Sequence, residues 1–276
     1  MERREFMHIS AVAASLVSGG LLPALAADGP RPAKKRRKAK RAKRHPVGTS
    51  PNPFTEPAAI EPITGYVGKF APIQTGSMAG DFTASYSLAK FLSAGAKSRN
   101  QVAGSIELAF KGDVLTATET RHGNVVKTTL TCRAEDRAAL SWSLASRLEQ
   151  APDAGFTETG AWDGKAITVK SAAWTQERAT SLPLIARWAL LPVLASGTCK
   201  SKPLRFDMLD DSTLRPDQTL KYSGAIEIPT KAGPATLDCY AQTGRAIVPT
   251  HYLVDAAGRV QLITQETVNW ALAELG

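Results

Sequence analysis

A chain of 276 residues, 43% hydrophobic and 21% charged, has the makeup of a globular protein with enough apolar residues for a sizeable core. Its net charge of +9 is concentrated: residues 31–45 carry ten Lys and Arg and no acid, residues 1–30 carry one acid more than base, and residues 46–276 sum to zero. A neutral body of this kind argues against nucleic acid as the main partner, which would call for cations spread over a face.

The start has the tripartite plan of a secretory signal. A charged Met1-Glu2-Arg3-Arg4-Glu5-Phe6-Met7 precedes a mildly apolar run, residues 9–22, and Ala24 and Ala26 supply a small-x-small cleavage site before Ala27. Arg3-Arg4-Glu5-Phe6-Met7 resembles the twin-arginine export consensus, which implies a translocase partner and a periplasmic or extracellular address. Fourteen apolar residues at ~1.5 Å each fall short of the ~30 Å hydrocarbon layer. No later segment reaches 18 consecutive apolar residues, so the sequence predicts no transmembrane span in the mature chain.

Residues 27–65 read as a disordered tether. The run containing Lys34, Lys35, Arg36, Arg37, Lys38, Lys40, Arg41, Lys43 and Arg44 has no hydrophobic stripe to offset the entropy of ordering. Prolines 46, 51, 53, 57 and 62 then exclude helix and interrupt ladders. Behind an export signal, anionic lipid or envelope polymer is the nearer partner for this arm, at about 1 kcal/mol per basic residue beside a charged membrane.

Residues 66–276 are expected to form a single β-rich domain. Residues 105–111 place Ile106, Leu108 and Phe110 on one side, and strands follow at 114–120, 125–132, 138–144 (Leu140, Trp142 and Leu144 inward) and 166–170, parted by turn residues. Residues 183–196 break the pattern with apolar residues almost all round. They predict a buried helix capped by Thr180 or Ser181 and ended or kinked by Pro192. Strands resume at 203–207, 219–229, 235–243, 250–255 and 259–265, and 267–275 closes as a short helix or strand end. The fold expected from this pattern is mainly β: a strongly curved antiparallel sheet packed around one short apolar helix.

The order of elements in residues 180–265 carries a resemblance. An apolar helix leads to an acidic turn at Phe206-Asp-Met-Leu-Asp-Asp211, then to Arg215-Pro-Asp-Gln218 and a long hairpin from Tyr222 to Tyr240. The closing segment is Pro249-Thr-His-Tyr-Leu-Val-Asp-Ala-Ala-Gly-Arg-Val-Gln-Leu262. This order is similar to that of a family of uncharacterised secreted bacterial proteins. The resemblance implies a curled antiparallel half-barrel, similar in shape to the periplasmic carriers of lipoproteins.

Chemistry-bearing motifs are sparse. Outside the signal the histidines are His45, His122 and His251, too few and too scattered for a metal set, so neither a metal nor a cofactor is expected. Ser87-Leu88-Ala89-Lys90 matches SxxK without its companion motifs. Asp210-Asp211 reads as a turn, because sequence neighbours on a strand face opposite ways. Cys132, Cys199 and Cys239 form no CxxC pair and read as buried apolar residues without a bridge. Trp142, Trp188, Tyr222 and Tyr252 are the candidates for lining an apolar pocket between helix and sheet.

These observations lead to an exported, non-enzymatic binding or carrier module for an apolar ligand or lipid-bearing partner. Two alternatives stand beside it. One is a scaffold protein held to anionic envelope polymer or lipid by its basic arm; the other is a hydrolase with a site near His251, which requires an acid or hydroxyl within about 3.2 Å of the imidazole.

Overall fold

Period-two alternation becomes strand along nearly the whole domain. The computed structural model describes residues 71–90, 101–230, 232–265 and 268–276, all within the compact unit Thr49–Gly276. The export motif (Arg3, Arg4, Phe6) and the basic arm lie outside the described residues.

The first eight strands run β1 (Phe82–Lys90), β2 (Gln101–Lys111), β3 (Val114–Arg121), β4 (Asn124–Cys132), β5 (Ala139–Leu148), β6 (Ala151–Trp162), β7 (Ala166–Ser171) and β8 (Thr175–Ala179). Each pairs antiparallel with the next. The short β9 (Leu184–Ala186) leads through a 3-10 turn, Arg187–Ala189, into the single described α-helix, α1 (Leu190–Ala195). Then come β10 (Leu204–Asp210), β11 (Thr213–Thr230), β12 (Gly233–Gly244), β13 (Thr250–Val254), β14 (Val260–Gln265) and β15 (Val268–Leu275).

The expected half-barrel is corrected here. The fifteen strands form one open sheet in the order β8-β7-β6-β5-β4-β3-β2-β1-β15-β14-β13-β12-β11-β10-β9, with no ladder between the edge strands β8 and β9. The antiparallel meander of the sequence reading and its one short apolar helix are present, but the closing arc of a barrel and the lipoprotein-carrier shape are not.

The helix expected at 183–196 is corrected with it. Leu184, Ile185 and Ala186 are all buried and pair parallel to Asp207, Met208 and Leu209 of β10. A run that is apolar on every side serves a buried strand as well as a buried helix, and periodicity cannot separate the two. Helix begins only at Leu190, so Pro192 falls in its first turn, where backbone N–H groups lack intrahelical partners in any case. Neither Thr180 nor Ser181 caps it. Thr180 Oγ1 instead accepts the indole N–H of Trp162 at 2.8 Å.

The core face of the sheet carries Ile106, Leu108, Phe110, Leu115, Leu130, Trp142 and Trp270, each at most 4% exposed, with Trp188 and Leu190 of the helical segment packed into the same cluster, and Leu144 is 2% exposed. Burial of each large side chain contributes about 1.5–3 kcal/mol. Leu140, expected inward, is 38% exposed. Ala139 pairs with Cys132 and Ser141 with Thr131, so Leu140 is the extra residue of a bulge and its side chain is turned out. The three cysteines are buried and unbridged.

β15 is a strand. It pairs with β1 in the middle of the sheet, and Thr83 and Gly276 exchange two backbone hydrogen bonds of 2.9 Å at its end. Beside it, β13 and β14 are buried on both faces. Leu253, Leu262, Ala271, Leu237, Cys239 and Ile228 form a second apolar cluster, separate from the main one. Among the described residues, no helix is long and apolar enough to cross a membrane.

Candidate functional site: charges over an aromatic floor

One row of directly opposed residues crosses the sheet: Tyr222, Tyr240, Tyr252, Ile263, Trp270, Leu88, Gly104, Arg121. Register alone therefore links three of the tyrosines to an arginine five to seven strands away. Gly104 has no side chain between Arg121 and Leu88, and the Arg121 guanidinium lies 5.5 Å from the centroid of the Trp270 ring. Trp188 meets Trp270 edge-on at 5.6 Å, and Arg187 sits 4.8 Å over Trp188. Stacking over an aromatic face suits a guanidinium, whose planar cation is weakly hydrated.

Acids gather around these arginines. On β3, Leu115, Ala117 and Glu119 alternate on the core face, so the inward position that follows two apolar residues is a carboxylate, only 7% exposed. Glu119 pairs with Arg121 at 2.5 Å. Asp210, at the end of β10, accepts from Arg187 at 3.4 Å and from Arg215 at 3.3 Å. Asp211 follows in a two-residue turn and holds a left-handed backbone, φ 52°, a conformation that Asp tolerates better than most residues. Burial, then the charges of Glu119 and Asp210, push its carboxyl up to about 6 against the opposing pull of Arg187 and Arg121. Arg187 stays cationic: burial works against its charge, but Asp210 and Glu119 outweigh it.

The sixth strand adds Glu158, 3% exposed. It occupies the core face with Gly160 and Trp162, and its carboxyl is raised chiefly by burial and further by the Asp211 charge. Trp142 is opposite Gly160 in register, and its ring fills the space where a Cβ at 160 would be. The Trp142 indole N–H sits beside the Glu158 carboxylate without closing a hydrogen bond of ordinary geometry.

Seven buried side-chain polar atoms of the described residues have no hydrogen-bond partner, and five belong to this region: Glu119 Oε2, Glu158 Oε1, Arg121 Nε, Trp142 Nε1 and Trp270 Nε1. Native interiors pair nearly all such atoms, each unmade bond costing about 1–3 kcal/mol. The other two belong to Asn269, paired in register with Ala89 and Thr264. Although electrostatically coupled, the acids do not converge as metal ligands: among the described residues no three His, Cys, Asp or Glu side chains are placed to hold an ion.

Of the aromatic residues expected to line a pocket, Trp142, Trp188 and Tyr252 are buried in the main core cluster, the first two in the charged region. Tyr252 donates to Gln242 Oε1 at 2.8 Å, and burial pushes its hydroxyl well above the ordinary value. Tyr222 stands at the far end of the row, half-buried, donating to Asp238 at 2.9 Å with Lys200 5.1 Å over its ring. His122 lies exposed in the β3–β4 turn with φ 51°. His251 is 8% exposed, opposite Ala241 and Thr264, and burial lowers its pKa. No hydrogen bond joins it to an acid or hydroxyl among the described residues, and Asp255 is engaged instead by Arg259 and Gln261 at 2.7 Å each.

The sequence reading missed Glu119, Arg121, Glu158, Arg187 and the role of Asp211. A signal was present for the two glutamates: each falls in phase with the apolar positions of its strand. Nothing local marks Asp211 or Arg187, because their partners lie on strands far away in sequence.

No family model matches the chain, and no curated protein does. Among solved structures it is similar to a β-barrel-like protein of a domain of unknown function, DUF1849, from Brucella abortus. The two are 11% identical, with a TM-score of 0.47 over 71% of this chain and 97% of the other. A likeness at that level fixes neither fold nor function.

Proposed function

We propose that the domain is an exported binding or carrier module for a ligand of mixed character. The apolar part, an acyl chain or the lipid of a lipid-bearing partner, lies on Trp142, Trp188 and Trp270; the polar part completes the set around Glu119, Arg121 and Glu158. The observation that carries this reading is the concentration of unpartnered buried donors and acceptors in one region that is also floored by indoles. Export is supported by Arg3-Arg4-Glu5-Phe6 ahead of its apolar run. The hydrolase alternative loses its support, since among the described residues no hydrogen bond joins His251 to the acid or hydroxyl it requires.

Native mass spectrometry of the protein recovered from the envelope of its own cell tests the reading. A bound small-molecule mass is expected in the wild type and is lost in Trp142→Phe and Glu158→Gln. An empty wild-type protein, with ordered water bonded to all five atoms in a high-resolution structure, overturns it.

A second reading is supported by the ten basic residues between 31 and 45. The arm holds the protein to anionic lipid or envelope polymer. Deleting 31–45 then abolishes salt-sensitive binding to anionic vesicles, whereas unchanged binding removes the idea.

A further inference from the structure

We propose that Arg259 anchors a second binding site, for a monocarboxylate with a short apolar body, in the cleft between β12 and the β13–β14 turn. The site shares no residue with the charged aromatic region and does not depend on the reading above. The cleft has a volume of about 430 Å³, within the range of small-molecule sites. Its position follows from register. Cys239 and Asp238 pair with Leu253 and Val254, so Leu237, Thr236 and Ala235 run on past the end of β13, and they line the cleft together with Asp255, Ala256 and Ala257 of the turn. Pro72 and Gln74 line it as well.

One network holds these parts. Asp255 Oδ1 accepts the backbone N–H groups of Ala257 and Arg259 at 2.9 and 3.0 Å, and its Oδ2 accepts from Arg259 Nε and Gln261 Nε2 at 2.7 Å each. Gln261 in turn grips the backbone of Ile73: its Oε1 accepts the N–H at 3.0 Å and its Nε2 donates to the carbonyl at 2.8 Å. The carboxylate that fixes the arginine thereby also fixes the segment that carries Pro72 and Gln74.

Four donors fill the lone-pair sites of Asp255, so it has nothing further to offer a ligand. Arg259 is different, because Asp255 takes only its Nε. Among the described residues no hydrogen bond engages either terminal nitrogen, and neither is a buried unpartnered atom. Both therefore reach solvent, although Arg259 as a whole is only 8% exposed and lines the cleft. A guanidinium held through Nε, with its outer fork accessible, matches a carboxylate, which takes two parallel N–H bonds. The Asp255–Arg259 pair is neutral and no other charged side chain lines the cleft, so a single negative charge suits it better than a dianion. Ala235, Leu237, Ala256 and Ala257 make the remaining wall apolar and low, which suits a short hydrocarbon body. The larger hollow of about 660 Å³ lacks such construction: Lys127 and Arg147 line it, but both are exposed and no acid among the described residues fixes either.

Calorimetric titration of the full chain with sodium hexanoate tests the proposal, beside hexan-1-ol and inorganic phosphate. Saturable binding of hexanoate is expected, with the alcohol and phosphate each at least tenfold weaker. Arg259→Lys keeps the charge but loses the fork, and hexanoate affinity should fall at least tenfold. Should that variant fail to fold, Ala256→Trp, at an exposed position outside the hydrogen-bond network, fills the cleft and should abolish binding. Absence of saturable hexanoate binding, or affinity unchanged in either folded variant, overturns the site. Equal affinity for hexan-1-ol overturns the role of the fork, and equal affinity for phosphate overturns the assignment to a monocarboxylate.

Discussion

The two arms of the sheet solve burial differently. From β2 to β6 the strands have one dry face and one wet face, as the β3 pattern shows: Leu115, Ala117 and Glu119 are buried while Val114, Thr116 and Thr118 are exposed or half-exposed. In β13 and β14 every residue from Thr250 to Val254 and from Val260 to Thr264 is buried. The single-faced arm therefore reaches the core with alternate residues only, and Glu119 and Glu158 occupy two of those positions. The double-faced arm spends its burial on two clusters. That arm buries mainly neutral polar groups such as Gln242, Thr264 and Asn269, and its buried charges are partnered: Asp207 accepts the backbone N–H of Asp217, and Arg259 donates to Asp255.

The largest expected effect breaks the comparison in the double-faced arm. Leu262→Ala, at a site with no exposed area, should cost about 2–5 kcal/mol in urea unfolding. The corresponding truncation of the bulged Leu140 should stay within about 0.5 kcal/mol. Equal costs would show that the two arms do not differ in packing.

A smaller effect sharpens the single-faced arm. Gly160→Ala places a Cβ inside the volume of the Trp142 ring, so the indole must shift, at about 1–3 kcal/mol. Tryptophan fluorescence should change with it. An unaltered emission spectrum would mean that the ring is not seated on Gly160.

The smallest effect is electrostatic. The Asp211 carboxyl is raised in the folded state, from an ordinary 3.8 to about 6. Between those values the unfolded chain releases the proton while the folded one keeps it, so this group favours folding at low pH and the benefit is lost as pH rises through about 6. Relative to Asp211→Asn, the wild type should lose about 1–2 kcal/mol between pH 4 and 7, a figure reduced for partial exposure. Parallel pH profiles for the two proteins would deny the coupling.

Much of the strand order was legible because β2 to β5 alternate cleanly and their turns carry Lys111-Gly112-Asp113 and His122-Gly123. The helix was over-read because Leu184 to Leu191 is apolar at every position but Arg187 and lacks a period. Leu140 was misplaced by a bulge, which no composition signals. In the candidate site, Trp142 and Trp188 stood out as large aromatic residues on regular elements. The charged half was hidden, because Asp211 and Arg187 gain their meaning only from Glu119 and Glu158, residues distant along the chain and close in the fold.

The pairing of β1 with β15 also governs how the sheet is built. Ala84 and Leu275 are joined across roughly 190 residues, whereas most other neighbours are linked by short turns. Closing that span costs about 4 kcal/mol more entropy than closing a two-residue hairpin, so it should be a late and slow event. Two preformed sheets, β1 to β8 and β9 to β15, would wait for β15 to dock on β1. Until it does, both of those edges offer unpaired backbone to neighbouring chains. Refolding yield should therefore fall with protein concentration, and a chain cut short before residue 268 should aggregate.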